Sequence, residues 1–270
     1  MTEPRWTSPL TGSEVHEADA RTVAATLPDG CASCAILDGP YGMGKAAWDR
    51  VPRGGSLLDL YRDHLADVGR VCAPSASLYL WNTSDGWACL HPALLAAGWK
   101  FRTLIVWDKE ATPASFNPEV LWPSATEFCG HYIRGKPDWE RPEGTKTNVW
   151  RLSFQSYADE KLRLDETMHH YAWSRTALHP SQKPLAFAER MIRASTRPGD
   201  VVWVPFGGTL REVVAAEHMA RRDPAEARRV IACELNADGA DYIGPALAQA
   251  EGRSLLDVAP AQVGLFGGGR

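Results

Sequence analysis

Four consecutive residues, Asp38-Gly39-Pro40-Tyr41, join a carboxylate acceptor, a rigid turn and an aromatic face. The exocyclic amine of cytosine or adenine is a poor nucleophile because its lone pair is delocalised into the ring. Two acceptors on its N–H groups would turn that pair toward an incoming methyl donor. Asp38 supplies one acceptor and the Gly39 carbonyl the other, while Pro40 stiffens the turn and Tyr41 offers a π face to the base. A base inside a duplex cannot reach a buried site, so it would be flipped out, and stacking worth about 1–3 kcal/mol offsets part of that cost. Taken alone, Asp-Gly-Pro is also ordinary turn chemistry.

The elements that must position these residues follow an α/β rhythm. The apolar run at 34–37 reads as a buried parallel strand whose polar groups stand at its carboxyl end. Residues 77–81 read as a strand, 92–97 as a helix, and 103–107 and 128–133 as strands. Leu185, Ala188, Met191 and Ile192 share one face of a helix over 185–194, the turn Pro198-Gly199-Asp200 follows, and 201–204 is a strand. Pro205-Phe206-Gly207-Gly208 then leads into a helix bearing Val213, Val214, Ala216 and Met219, and into a strand at 230–233 closed by Glu234. An acid at that strand end is placed to accept both hydroxyls of a ribose. The expected fold is α/β, a doubly wound, mainly parallel sheet with helices on both faces and its chemistry at the carboxyl ends of the strands.

Two stretches break the rhythm. Residues 135–178 gather Trp139, Arg141, Lys146, Trp150, Arg151, Arg163 and Arg175 without regular spacing and read as a small inserted region, and 45–67 is a second polar stretch, helical from Ser56 onward. Residues 1–134 and 179–251 together are expected to form one domain, with 252–270 as a tail. With 270 residues, 44% hydrophobic and 23% charged, the chain can bury one large core. No apolar run reaches the roughly 18 residues of a membrane span and no basic-then-apolar leader opens the chain, so a cytoplasmic protein without a membrane partner is expected. A net charge of −4 argues against holding nucleic acid by bulk electrostatics and leaves that task to local basic patches. The six cysteines are scattered, and Cys31 and Cys34 form a lone CxxC with no second pair, so neither disulfides nor a metal site is expected.

In this order the segments resemble the β-group of amino-DNA methyltransferases, which modify cytosine N4 or adenine N6 and carry the catalytic motif before the cofactor motif. The likeness spans nearly the whole chain. Val15-His16-Glu17-Ala18-Asp19, Leu27-Pro28-Asp29-Gly30 and the Asp38 segment look like the family's opening, while residues 98–109 and Thr126-Glu127-Phe128 look like the segments that shape the target-base pocket. His179-Pro180-Ser181-Gln182-Lys183-Pro184 is similar to the signature His-Pro-Thr-Gln-Lys-Pro and is the most specific match. Pro205-Phe206-Gly207-Gly208 resembles Asp-Pro-Phe-x-Gly-x-Gly, with Val204 in place of the Asp and Leu210 in place of the last glycine.

The resemblance implies a Rossmann-like methyltransferase with S-adenosylmethionine as cofactor and double-stranded DNA as partner, acting within restriction-modification, with a homodimer possible. It assigns catalysis to Asp38, Gly39, Pro40 and Tyr41. Cofactor contact falls to Asp19, His179, Gln182, Lys183, Phe206, Gly207, Gly208 and Glu234, and Gln182 and Lys183 would engage polar groups of the cofactor. Target recognition falls to 135–178, where Arg141, Lys146, Arg151, Arg163 and Arg175 are candidates for reaching DNA.

Three readings stay open: an active site-specific DNA methyltransferase, a degenerate methyltransferase-like binding module or partner subunit, and a methyltransferase of RNA or a small molecule. Val204 and Leu210 point to the second. Retention of Asp38, Tyr41 and the 179–184 segment favours the first, because a pure binder does not need all three. The target base is even: Asp at the head of the catalytic motif is more usual for adenine in the resembled family, whereas richness in Ala, Gly, Pro and Arg implies a GC-rich genome.

Overall fold

The computed structural model describes residues 3–44, 49–51, 53–110, 124–142, 147–152, 182–235 and 243–253. His179, Lys146, Arg163, Arg175 and all but the start of the expected tail lie outside the described residues. The strands are β1 (Trp6–Thr7), β2 (Glu14–Glu17), β3 (Ala32–Leu37), β4 (Cys72–Asn82), β5 (Lys100–Asp108), β6 (Thr126–Arg134), β7 (Val149–Arg151), β8 (Val201–Val204) and β9 (Arg229–Glu234). The helices are α1 (Ala20–Ala24), α2 (Leu57–Val71), α3 (Ser84–Ala96), α4 (Leu185–Ser195), α5 (Arg211–Arg222) and α6 (Ile243–Ala250).

All nine strands share one sheet in the order β1-β2-β9-β8-β3-β4-β6-β5-β7. From β2 to β4 every neighbouring pair is parallel, whereas β6 runs antiparallel to both β4 and β5. Side chains alternate across the sheet as the pleat demands. Cys34 and Ile36 of β3, Tyr79 and Trp81 of β4, and Val202 and Val204 of β8 pack on one face with α4, α5 and α6. Ala35, Leu37, Leu78, Leu80 and Trp203 pack on the other with α1, α2 and α3. Buried on both faces, the central stretches 34–37, 78–81 and 201–204 of these strands read as apolar runs, which made them legible in the sequence.

β3 leads through α2 to β4 on one side, and β8 leads through α5 to β9 on the other, so the winding reverses between β3 and β8. A crevice opens at the carboxyl ends of strands where such a reversal occurs. Asp38 and the Pro205-Phe206-Gly207-Gly208 turn are the first residues beyond those two strands.

Two expectations change. The helix expected over 92–97 starts at Ser84, with Pro92 inside it. Thr83 caps it by accepting the Gly86 N–H at 3.1 Å, and burial of Leu90 and Leu94 offsets the hydrogen bond that Pro92 cannot make. Part of the stretch expected as an insertion joins the sheet: β7 pairs parallel with β5, and Trp150 packs against Trp81 and Phe187. Among the described residues no helix is long and apolar enough to cross a membrane.

Candidate active site

The loop after β3 is held from two directions. Asp49 Oδ1 accepts the backbone N–H of Tyr41 at 2.7 Å and of Gly42 at 2.8 Å. A Cβ on Gly39 would lie 2.7 Å from Tyr61 Oη and 2.8 Å from the Phe206 ring, so only glycine lets this loop approach the turn after β8 so closely.

The Asp38 carboxylate stands at the centre of a charge network. Lys183, just ahead of α4, places Nζ 2.9 Å from each Asp38 oxygen, and Tyr41 Oη donates to Asp38 Oδ1 at 2.9 Å. Glu127, on the antiparallel strand β6, receives Lys183 at 3.3 Å and Lys109 at 2.5 Å. The Lys183 ammonium also lies 5.1 Å from the centroid of the Tyr41 ring and 5.6 Å from that of Trp81. Burial pushes the Asp38 carboxyl above its ordinary value against the opposing pull of Lys183. Burial would raise Glu127 too, but Lys183 and Lys109 hold it down at about 2. Lys183, whose proton burial would strip, keeps it because Asp38 and Glu127 flank it. The Tyr41 phenol, raised by burial and by Asp38, stays a donor.

Beside this network lies a cavity of about 260 Å³. Its wall follows the sheet edge: Asp19 after β2, Glu234 at the end of β9, the glycine turn after β8, and Asp38 after β3. The Phe206 ring packs 4.7 Å from His64 and 5.7 Å from Tyr61, centroid to centroid. Gly207 donates to the Cys233 carbonyl at 2.6 Å, and a Cβ there would meet that oxygen at 3.0 Å and Leu210 Cδ2 at 2.8 Å. Glu234 Oε2 accepts the Gly208 N–H at 2.6 Å. Leu210, fully buried at the N-cap of α5, has φ 54° and ψ 38°, the left-handed conformation that glycine adopts freely. The turn keeps a glycine-like backbone under a leucine.

The family profile for N6/N4 methyltransferases, described as DNA methylase, matches residues 32–244, a span that takes in the Asp38 loop, Lys183 and the glycine turn. The chain belongs to the DNA methylase family. This DNA methylase is 24% identical over 257 residues to the Type II methyltransferase M1.MboII of Moraxella bovis, covering 84% of this chain and 93% of that one. To the Type II methyltransferase M.Cfr9I of Citrobacter freundii it is 24% identical over 287 residues, covering 93% of each chain. Its structure is similar to that of the PvuII DNA methyltransferase (cytosine-N4-specific), with a TM-score of 0.69 at 15% identity over 95% of this chain and 93% of that one. It is also similar to the M1.HpyAVI–SAM complex, with a TM-score of 0.58 at 17% identity over 88% of this chain and 97% of that one. At these identities the structural likeness carries the Rossmann-like fold.

The DNA methylase brings Asp38, Gly39, Pro40, Tyr41, Asp19, Gln182, Lys183, Phe206, Gly207, Gly208 and Glu234 to the wall of this single cavity. His179 lies outside the described residues. Three of the expected residues have partners that the sequence did not disclose. Lys183, expected to meet polar groups of the cofactor, has its ammonium bound to Asp38 and Glu127. Glu234, expected to hold a ribose with both oxygens, has one of them on the Gly208 N–H. Asp19 caps α1 by accepting the Arg21 N–H at 2.9 Å. Sequence reasoning named no role for Asp49, His64, Arg211 or Glu212, and placed Lys109 and Glu127 only within segments that resemble those shaping the target-base pocket. Glu212 left a local signal, an acid in the first turn of the helix that follows the glycine turn.

Proposed function

We propose that this DNA methylase transfers a methyl group from S-adenosylmethionine to the exocyclic amine of cytosine or adenine in duplex DNA, with Asp38 orienting the amine. The observation that carries this reading is the Asp38 carboxylate, fixed by Lys183 and Tyr41 on the wall of the cavity that the glycine turn also lines. That cavity suits the cofactor: Phe206, Leu60 and His64 offer apolar and aromatic contact to a purine, Asp19 and Glu234 offer acceptors to amine and hydroxyl groups, and bare backbone at Gly207 permits close approach. S-adenosylmethionine supplies the electrophilic methyl group on its sulfonium.

The rest is done by the chain. Among the described residues Oδ1 of Asp38 accepts from Lys183 and Tyr41 and Oδ2 from Lys183 alone, so Oδ2 keeps a lone pair for the amine. That acceptor localises the nitrogen lone pair, and the same oxygen would take the proton the nitrogen sheds as the methyl group passes from sulfur, which leaves as a neutral thioether, to nitrogen. A raised carboxyl value favours this proton transfer near neutral pH. Tyr41, tied by its hydroxyl to Asp38, presents its ring to the flipped base. Its partners on the duplex come from 135–178, where Arg141 and Arg151 are exposed. The left-handed backbone kept at Leu210 favours turnover over the degenerate binding module. DNA as substrate fits work in a bacterial cytoplasm beside a cognate nuclease, and light scattering of the purified chain tests the homodimer.

The deciding experiment incubates the protein and its Asp38→Ala variant with unmethylated DNA and S-adenosylmethionine and identifies modified nucleosides by mass spectrometry. N4-methylcytosine or N6-methyladenine formed only by the unaltered chain is expected, with cofactor binding kept by the variant. Neither product despite DNA binding would overturn the proposal.

A further inference from the structure

Glu212, the second residue of α5, has no part in the reading above. The residue lines the cavity while only 7% exposed, and among the described residues its carboxylate makes no ion pair. Burial pushes that carboxyl up to about 7. Asp38 adds to the rise, while its own backbone N–H, Arg211 and Lys183 pull against it without restoring the ordinary value. Among the described residues no cation is in ion-pair contact with this carboxylate, and a cationic ligand entering the cavity would supply one. The resembled motif carries an Asp at the position of Val204, which here is buried in the sheet. Next to Glu212, Arg211 donates Nε and Nη2 to the Thr209 carbonyl at 3.1 and 2.9 Å, which holds a guanidinium on the same wall. Adjacent opposite charges match a zwitterion.

We infer that Glu212 binds the primary ammonium of the amino-acid portion of S-adenosylmethionine; the inference rests on the methyltransferase reading and adds a recognition residue to it. Adenosine contacts anchor one end of the ligand and Glu212 selects the other, so ligands without an amino-acid portion bypass it.

Titration calorimetry of the full chain and of Glu212→Gln with three ligands tests this. S-adenosylmethionine carries both ammonium and sulfonium, S-adenosylhomocysteine only the ammonium, and 5′-methylthioadenosine neither. Glu212→Gln should weaken the first two by about tenfold or more, as expected for loss of a charge-assisted hydrogen bond, and leave the third within about twofold. Glu212→Asp, which keeps the charge at shorter reach, should retain part of the lost affinity. Equal loss for all three ligands would overturn the inference, as would no loss at all. Loss confined to S-adenosylmethionine would place the contact at the sulfonium and overturn it as well. If the unaltered chain bound none of the three, the methyltransferase reading itself would fall, and the inference with it.

Discussion

Lys183 Nζ lies 2.9 Å from both oxygens of Asp38, a two-pronged contact between a lysine ahead of α4 and a carboxylate beyond β3. Under the proposed function the contact makes Lys183 a positioning residue for the Asp38 carboxylate. Replacing it by Met should lower kcat by roughly a hundredfold while changing the cofactor Kd by less than about threefold. The acid limb of the kcat profile should move to higher pH, because Asp38, already raised by burial, would lose the opposing charge. Single-turnover rates across pH, paired with calorimetry, separate these effects. A cofactor Kd weakened tenfold with an unmoved acid limb would return Lys183 to the cofactor.

Glu127 is the counterweight in that network. Held at about 2 by Lys183 and Lys109, it stabilises the fold fully above the ordinary carboxyl value of 4.5 and loses that contribution as pH falls through about 2. The shift corresponds to a contribution on the order of 3 kcal/mol at neutral pH. Glu127→Gln should therefore lower the urea midpoint at pH 7, and the gap to the unaltered chain should close as the solution is acidified. A gap independent of pH would mean that Glu127 acts by packing alone.

Glu212 behaves in the opposite sense. Its folded value of about 7 exceeds the ordinary 4.5, so the folded chain without ligand loses stability as pH rises between those values and is level above them. Asp38, Arg211 and Lys183 are the charged groups that act on it, and burial outweighs them. Glu212→Gln should raise the neutral-pH stability of the ligand-free protein by up to about 3 kcal/mol and remove that slope. Thermal melts from mildly acid to mildly alkaline buffer read this directly, and a variant less stable at every pH would contradict it.

Leu210 sets backbone strain against burial. The left-handed conformation costs a non-glycine residue about 1–2 kcal/mol, whereas emptying a buried leucine site costs about 2–5 kcal/mol. Its side chain is fully buried and would touch any Cβ placed on Gly207. Leu210→Gly should thus destabilise the fold by about 1–3 kcal/mol in chemical denaturation. A gain in stability would show that strain outweighs packing.

The parts of the site legible in the sequence were those written in short contiguous stretches. Asp38-Gly39-Pro40-Tyr41 carries its acceptor, turn and ring together, and the buried strands around it are continuous apolar runs. Relations between distant stretches were not legible. Nothing local in Thr126-Glu127-Phe128 says that Glu127 faces Lys183, because the antiparallel turn of β6 makes that meeting. Asp49 is one acid in a polar stretch until its oxygen is seen on the backbone N–H groups of Tyr41 and Gly42. Pro92 looked like a helix start and is a helix interior, since capping at Thr83 and burial of Leu90 decide the boundary. Short strands such as β2 and β7, which lie near the sheet's two margins, lack the length to show a period of two.

The reversal of winding between β3 and β8 has a consequence for synthesis. The Asp38 loop follows Leu37 and the glycine turn follows Val204, and these strands are hydrogen-bonded neighbours although most of the chain separates them. At about 5–20 residues per second, a ribosome needs roughly ten to thirty seconds between making the first half of the site and the second. Until then β3 lacks the neighbour that covers one of its edges, and Gly39 has no Phe206 to pack against. A nascent chain therefore cannot complete this site before the stretch carrying Val204 and the glycine turn has emerged.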